Sequence, residues 1–137
     1  METLYTANVR VEGGRNGKAV SSDNVLNLDL RMPLGLGGDG GHYTNPEQLF
    51  AAGYAACFDG ALNLVARTKR IRIKNTVVDA AVSLGKDDSG LGISVVLDVT
   101  IPEIDRKVAR ELLDEAHQVC PYSKATRGNV DVEINLK

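Results

Sequence analysis

The chain has 137 residues, 43% hydrophobic and 25% charged, with 16 basic against 18 acidic side chains for a formal net charge of -2. That is the length of one domain able to bury a real core, and the near-neutral balance removes the electrostatic reason to expect nucleic acid or an anionic membrane as a partner. Met1 to Thr6 show no basic stretch followed by an apolar run, so no signal peptide is expected and the protein reads as soluble and cytoplasmic.

In chain order, Leu4 to Glu12 alternates and carries Val9 and Val11, which predicts a strand. Gly13-Gly14-Arg15-Asn16-Gly17 then predicts the turn of a hairpin, and Val25 to Leu30 a half-buried strand. Pro33 to Tyr43 is dense in glycine (Gly35, Gly37, Gly38, Gly40, Gly41) and reads as a mobile loop suited to act as a lid. It looks superficially like a phosphate cradle but lacks the Gly-Lys-Ser/Thr that would complete one.

Asn45-Pro46-Glu47-Gln48 predicts a helix start: Asn as N-cap, Pro at the first helical position, Gln at the capping-box position. The helix is expected to run to about Arg70, with Arg67, Lys69 and Arg70 at the negative end of its dipole. Its faces are apolar nearly all round, which predicts a central helix covered on most sides. Leu49 to Ala66 is the longest apolar stretch, but a bilayer would penalise Asp59 by about 2.5 to 3.5 kcal/mol, so a core helix is the better reading than a membrane span.

Thr76 to Leu84 and Ile93 to Ile101 are rich in β-branched residues and predict two strands joined through Gly85 to Gly92. A second helix is expected from about Asp105, with Val108, Leu112, Ala116 and Val119 on one face, stopping at Cys120 because Pro121 disfavours helical geometry in the residue before it. Val130 to Leu136 predicts a closing strand. No repeat, low-complexity tract or linker divides the chain, so residues 1–137 read as a single domain. The element order implies an α+β fold with helices packed on antiparallel sheet.

Two cysteines carry most of the possible chemistry. In a reducing compartment a structural disulfide is disfavoured, whereas a transient catalytic or redox-sensing pair is permitted. Neither they nor His42 and His117 fall at zinc-ligand spacing, and both histidines read as surface or helix-face residues. By its helix alone, Cys57 reads as a small core hydrophobe. A reactive Cys57 needs a cation to offset burial, and Arg15, Arg67 to Arg72 and Arg127 are the candidates. Cys120, at the expected C-terminal end of a helix, suits a resolving role better than that of an activated thiolate. Glu47 opens the same helix as Cys57, ten residues earlier, or about 15 Å along the axis. If both serve one site, the helix bends sharply or two chains contribute.

Three segments carry a resemblance. Thr44-Asn45-Pro46-Glu47-Gln48-Leu49-Phe50-Ala51-Ala52-Gly53-Tyr54-Ala55-Ala56-Cys57-Phe58 resembles the first cysteine motif of the OsmC/Ohr family, and Cys120-Pro121-Tyr122-Ser123-Lys124-Ala125-Thr126-Arg127-Gly128-Asn129-Val130 its second. Arg15 after Gly13-Gly14 is similar to the family's early arginine. The segments fall in order and span almost the whole chain. Gly-Tyr-Ala-Ala-Cys-Phe and Cys-Pro-Tyr-Ser are closer to the organic hydroperoxide resistance branch than to the OsmC branch. Asp59 departs from the small residues usual beside the motif.

The resemblance implies an OsmC-like fold: antiparallel sheets packed with a central and a second helix, in an intertwined homodimer with sites at the interface. It implies an organic hydroperoxide reductase that protects against oxidative stress. Cys57 is then the peroxidatic residue and Cys120 the resolving one, joined transiently as a disulfide, with Arg15 and Glu47 as the activating ion pair. The substrate is an organic hydroperoxide, the reductant a dithiol such as a lipoylated protein, and neither metal nor cofactor is required. Leu36, Tyr43, Phe50, Phe58 and Tyr122 are the expected apolar pocket. The rivals are a peroxidase of broader peroxide range and a redox-sensing or ligand-binding module whose cysteines pair without turnover.

Overall fold

In the computed structural model, which describes all 137 residues, the first strand is shorter than its sequence pattern. Strand β1 is Val9–Glu12, not Leu4–Glu12, because its antiparallel partner β2, Lys18–Ser21, is only four residues long. The last bond outward runs from the Ser22 N–H to the Asn8 carbonyl, at 2.9 Å. Gly13 and Gly14 turn the chain with φ of 79° and 57°. A Cβ at Gly17 would lie 1.6 Å from the Glu12 carbonyl oxygen, so only glycine fits there. Strand β3, Asn27–Asp29, completes the sheet in the order β1-β2-β3. Leu30, expected to continue it, forms an isolated parallel bridge with Thr44.

The glycine-rich segment holds one 3-10 turn, Leu34–Leu36, closed by the Gly37 N–H on the Leu34 carbonyl with Gly37 at φ 84°. These elements make up the first of two units, Met1–Leu49. Its hydrophobic core is thin: Ala19 and Leu30 are its only fully buried apolar side chains, while Val9, Val11, Val25 and Leu34 are exposed.

Helix α1, Pro46–Thr68, starts where the sequence predicts. The Asn45 carboxamide oxygen accepts from the Gln48 N–H at 2.9 Å, which satisfies one of the first-turn donors. The reciprocal half of the capping box is not made, because the Gln48 side-chain oxygen accepts from the Thr44 hydroxyl instead, at 2.9 Å. The helix ends at Thr68 rather than Arg70. Arg70 takes φ 58° while its N–H bonds the Arg67 carbonyl and the Ile71 N–H bonds the Ala66 carbonyl, a Schellman ending with arginine where glycine is usual. α1 is long and apolar enough to cross a membrane by composition, yet Tyr54, Phe58, Ala61, Leu62, Val65 and Ala66 are buried. The expectation that it is covered on most sides fails within one chain: Ala52, Ala56, Gly60 and Leu64 lie open.

The second unit, Phe50–Lys137, is built on a three-stranded sheet ordered β4-β5-β6. β4, Val77–Asp87, and β5, Gly90–Thr100, pair antiparallel along their whole length. The expected hairpin forms with a tighter turn than Gly85 to Gly92: Gly85 pairs with Gly92 inside the ladder and only Asp88 and Ser89 turn. Asp87 Oδ1 accepts from the Ser89 N–H at 2.7 Å, and Gly90 takes φ 124°, so the tight turn is set by local chemistry.

β6, Asp131–Leu136, lies parallel to β5, which corrects the all-antiparallel expectation to a mixed sheet. The link between them is a helical crossover of the length a parallel pair requires. It consists of α2, Arg106–Val119, and α3, Pro121–Thr126. Asp105 caps α2 by accepting from the Lys107 and Val108 N–H groups. The buried face of α2 is Ala109, Leu112, Leu113 and Ala116; Val119 is exposed. These side chains join Tyr54, Phe58, Leu62, Val95, Leu97, Val99 and Cys120 in one hydrophobic cluster.

Candidate active site

Cys57 and Cys120 meet. Each is a free thiol, and the Cys120 S–H points to Cys57 Sγ at a sulfur–sulfur distance of 3.8 Å. Cys57 sits in the middle of α1, half-buried, and Cys120 is fully buried. The helix stop predicted at Pro121 is real: Cys120 has extended geometry, φ -64° and ψ 123°. Sequence reasoning missed that Pro121 at once begins α3, so Cys120 is both the C-cap of α2 and the N-cap of α3. A proline allowed at a helix's first position was the signal for it.

The electrostatics of Cys57 within this unit oppose ionisation. Burial pushes its thiol above the ordinary value of 9.0; a backbone hydrogen bond from Tyr122 pulls it down, and Cys120 raises it again. No cation appears among these influences. An attacking thiolate at neutral pH therefore needs more stabilisation than the Tyr122 backbone N–H gives it.

Arg15 and Glu47 also meet, both within the first unit. Arg15 Nη1 donates to Glu47 Oε2 at 2.8 Å and Nη2 to Oε1 at 2.6 Å, a two-pronged pair. The turn at Gly13-Gly14 presents the arginine, and the first turn of α1 presents the carboxylate. The arginine bonds hold the Glu47 carboxyl below its ordinary 4.5, against a smaller opposing effect of burial, and the same bonds raise the guanidinium. Glu47 is the more enclosed of the two, its side chain 15% exposed against 32% for Arg15.

The five expected pocket residues have different surroundings. Phe50 and Tyr122 are edge-on at 6.2 Å and both line a cavity of about 700 Å³ with Leu91, Ile93, Thr126 and Val130. The Tyr122 ring also packs against Gly53, where a Cβ would lie 2.9 Å from its hydroxyl. In the first unit Leu36 is exposed, and the exposed Tyr43 ring is covered by the Arg31 guanidinium at 4.7 Å. Phe58 is wholly enclosed in the core cluster. Asp59 has a structural explanation: it accepts from the Thr76 hydroxyl at 2.7 Å, and Asn63 Nδ2 donates to the Asp59 carbonyl at 2.8 Å.

A second set of polar side chains lies beside the thiols. The Tyr54 hydroxyl is 2.9 Å from Ser123 Oγ and 3.2 Å from Thr126 Oγ1, and Ser123 Oγ is 2.9 Å from His117 Nδ1. Thr126 Oγ1 also donates to the Tyr122 and Ser123 carbonyls. Carbonyls only accept, so the single Thr126 proton serves them and its oxygen accepts from Tyr54. The count then runs one way: Ser123 donates to Tyr54, and His117 donates from Nδ1 to Ser123. His117, expected at the surface or on a helix face, lies on α2 and is half-buried, and its imidazole is held below the ordinary 6.5 by burial and then by the Arg127 charge, with Asp114 opposing. His42 is exposed as expected. No three His, Cys, Asp or Glu side chains converge as a metal site would need.

Comparison with known proteins agrees on one family. The family OsmC, described as OsmC-like protein, matches residues 37–135. An organic hydroperoxide resistance protein of Xanthomonas axonopodis pv. citri is 51% identical over 98% of this chain and 96% of its own. The crystal structure of an organic hydroperoxide resistance protein from Elizabethkingia anophelis superposes with a TM-score of 0.95 at 48% identity, covering 100% of this chain and 99% of that one. That of the organic hydroperoxide resistance protein OhrB of Bacillus subtilis superposes at 0.90 with 51% identity, covering 98% and 100%.

Proposed function

The chain belongs to the OsmC family, and from that premise we propose that it is a cytoplasmic thiol peroxidase that reduces organic hydroperoxides and so protects against oxidative stress. The observation that carries the reading is the approach of the Cys57 and Cys120 thiols to 3.8 Å. The names of the three relatives described above speak of organic hydroperoxide resistance and supply the substrate class.

In this reading the Cys57 thiolate attacks the outer peroxide oxygen. The O–O bond breaks, the alcohol leaves with a proton, and Cys57 becomes a sulfenic acid. The Cys120 sulfur then attacks Cys57 Sγ, the S–O bond breaks, and water leaves as the disulfide forms. A dithiol such as a lipoyl group on a partner protein returns both thiols by exchange. Arg15 stabilises the thiolate and orients the peroxide, and Glu47 holds the guanidinium fork. Phe50, Tyr122, Leu36 and Tyr43 supply apolar surface for a bulky substrate; the burial of Phe58 suits a supporting part.

We read the protein as an intertwined homodimer in which the Arg15–Glu47 pair of one subunit serves the thiols of the other. Three observations support this. The first unit exposes Val9, Val11, Val25 and Leu34 over a thin core. α1 runs unbroken from Pro46 to Thr68 with Ala52, Ala56, Gly60 and Leu64 open. Burial and Cys120 push the Cys57 thiol up, and no cation is among the influences that offset them. The family match spans the boundary at Leu49, which supports reading 1–137 as one working domain.

The test is mass spectrometry after one equivalent of cumene hydroperoxide, with a Cys57–Cys120 disulfide expected. Sustained consumption with a lipoyl dithiol separates an enzyme from a sensor. Equal use of hydrogen peroxide would count against the organic substrate, and oxidation without turnover would favour the sensor.

A further inference from the structure

Tyr54 precedes Cys57 by three residues on α1, and Ser123 follows Cys120 by three at the start of α3. On α1 that spacing makes Tyr54 and Cys57 side-by-side neighbours, with Cβ atoms about 5–6 Å apart, and Ser123 lies in the first turn of the helix that Cys120 caps. The Tyr54–Ser123 hydrogen bond at 2.9 Å therefore ties the same two segments that the thiols join, one turn away from them. Tyr54 and Ser123 are wholly buried and Thr126 nearly so, and none of their side-chain polar atoms is left unpaired.

On the reading that Cys57 is oxidised and Cys120 resolves it, we propose that Tyr54 and Ser123, braced by Thr126 and His117, are positioning residues for disulfide formation. They touch neither peroxide nor the reacting sulfurs. What they fix is where Cys120 stands. Its backbone is bonded only to the helices on either side, its N–H donating to the Ala116 carbonyl at 2.9 Å and its carbonyl accepting from the Lys124 N–H at 3.0 Å, so where it stands against α1 follows from where α2 and α3 stand. α3 is a helix of six residues, too short to be stable by itself, so its place depends on side-chain ties to α1. Tyr54 provides two of these, to Ser123 and Thr126. His117 adds one from the last turn of α2, and Arg127 closes the set by donating to the His117 carbonyl at 2.7 Å.

The step at stake is Cys57–SOH with Cys120–SH giving the S–S bond and water. Its rate depends on how often the Cys120 sulfur lies in line with the Cys57 S–O bond, which is an orientation effect rather than one of acidity or peroxide binding. A looser α3 leaves the first oxidation untouched and slows the second. The sulfenic acid then persists and meets further peroxide, moving down the ladder to sulfinic acid.

Tyr54→Phe keeps the ring and removes the tie; Ser123→Ala removes it from the other side. The experiment follows thiol consumption by cumene hydroperoxide in the full-length protein, and separately the sulfenic acid trapped by a carbon nucleophile and the disulfide found by mass spectrometry. Expected for both variants is an unchanged first oxidation, disulfide formation slowed about tenfold, and more sulfinic acid at excess peroxide. Val99→Ala, a core truncation in β5, is the control: it lowers stability without changing the split between sulfenic acid and disulfide. Disulfide formation at the parent's rate in both variants would overturn the proposal, as would an equal change in the split for Val99→Ala. A parent protein that forms no Cys57–Cys120 disulfide would sink the underlying reading, and the parent's own trace shows this before any variant is compared.

Discussion

Cys120 stands 3.8 Å from Cys57, sulfur to sulfur, although 63 positions of sequence separate them. A disulfide bond is about 2.05 Å long, so the sulfurs must close by a little under half that separation. Side-chain rotation with a small backbone shift covers such a distance. Cys57→Ser is expected to abolish peroxide consumption, and retained turnover would refute the role of Cys57. Cys120→Ser is expected to allow one oxidation, form no disulfide and leave Cys57 open to sulfinic acid, as intact-mass measurement would show.

Burial pushes the Cys57 thiol up within its own unit. If Arg15 activates it, Arg15→Ala moves the midpoint of the pH profile of Cys57 alkylation up. An identical profile in the two proteins would assign the activation to another cation.

A shared site has its own signature. Arg15→Ala and Cys57→Ser proteins are each expected to be inactive, and subunit exchange between them is expected to restore part of the activity by creating one intact site. No recovery after verified exchange would place both residues' work in a single chain.

Glu47 is held below its ordinary 4.5 in the folded protein by Arg15. A depressed carboxyl contributes stability that is fully present above about 4.5 and is lost as the pH falls through the folded value. Glu47→Gln is expected to cost about 1 kcal/mol at neutral pH and to lose less stability than the parent on acidification below 4.5. Thermal unfolding across that range reads both effects.

His117 is held below its ordinary 6.5, first by burial and then by Arg127. Its neutral form is favoured by folding, so this contribution is complete above 6.5 and drains away as the pH falls through the folded value. His117→Gln is expected to flatten the stability profile below 6.5. The direction of the hydroxyl chain also predicts that neutral His117 carries its proton on Nδ1; nitrogen NMR finding it on Nε2 would reverse the chain.

The local features were legible where one short stretch carried the whole cause. Asn45 and Pro46 start α1, Asp105 caps α2, Gly13 and Gly14 turn the first hairpin, and Pro121 stops α2 at Cys120. Errors arose where a distant partner decided. The length of β1 was set by β2, and Gly85 and Gly92 were drawn into the ladder by the strands on either side of them. β6 became parallel to β5 because a helical crossover lay between them.

For the candidate site, the sequence by itself singled out the residues proposed to carry chemistry: two cysteines, an arginine after a double glycine and a glutamate in a helix's first turn, each recognisable from its immediate neighbours. Only the tertiary structure decided their company. It brought Cys120 to Cys57, closed Arg15 on Glu47, and put His117 in a hydroxyl chain with Ser123 and Tyr54. The reason is physical. A cap or a turn is settled by bonds within a few residues, whereas a thiol's neighbour and a hydroxyl's partner depend on which faces the core packs together.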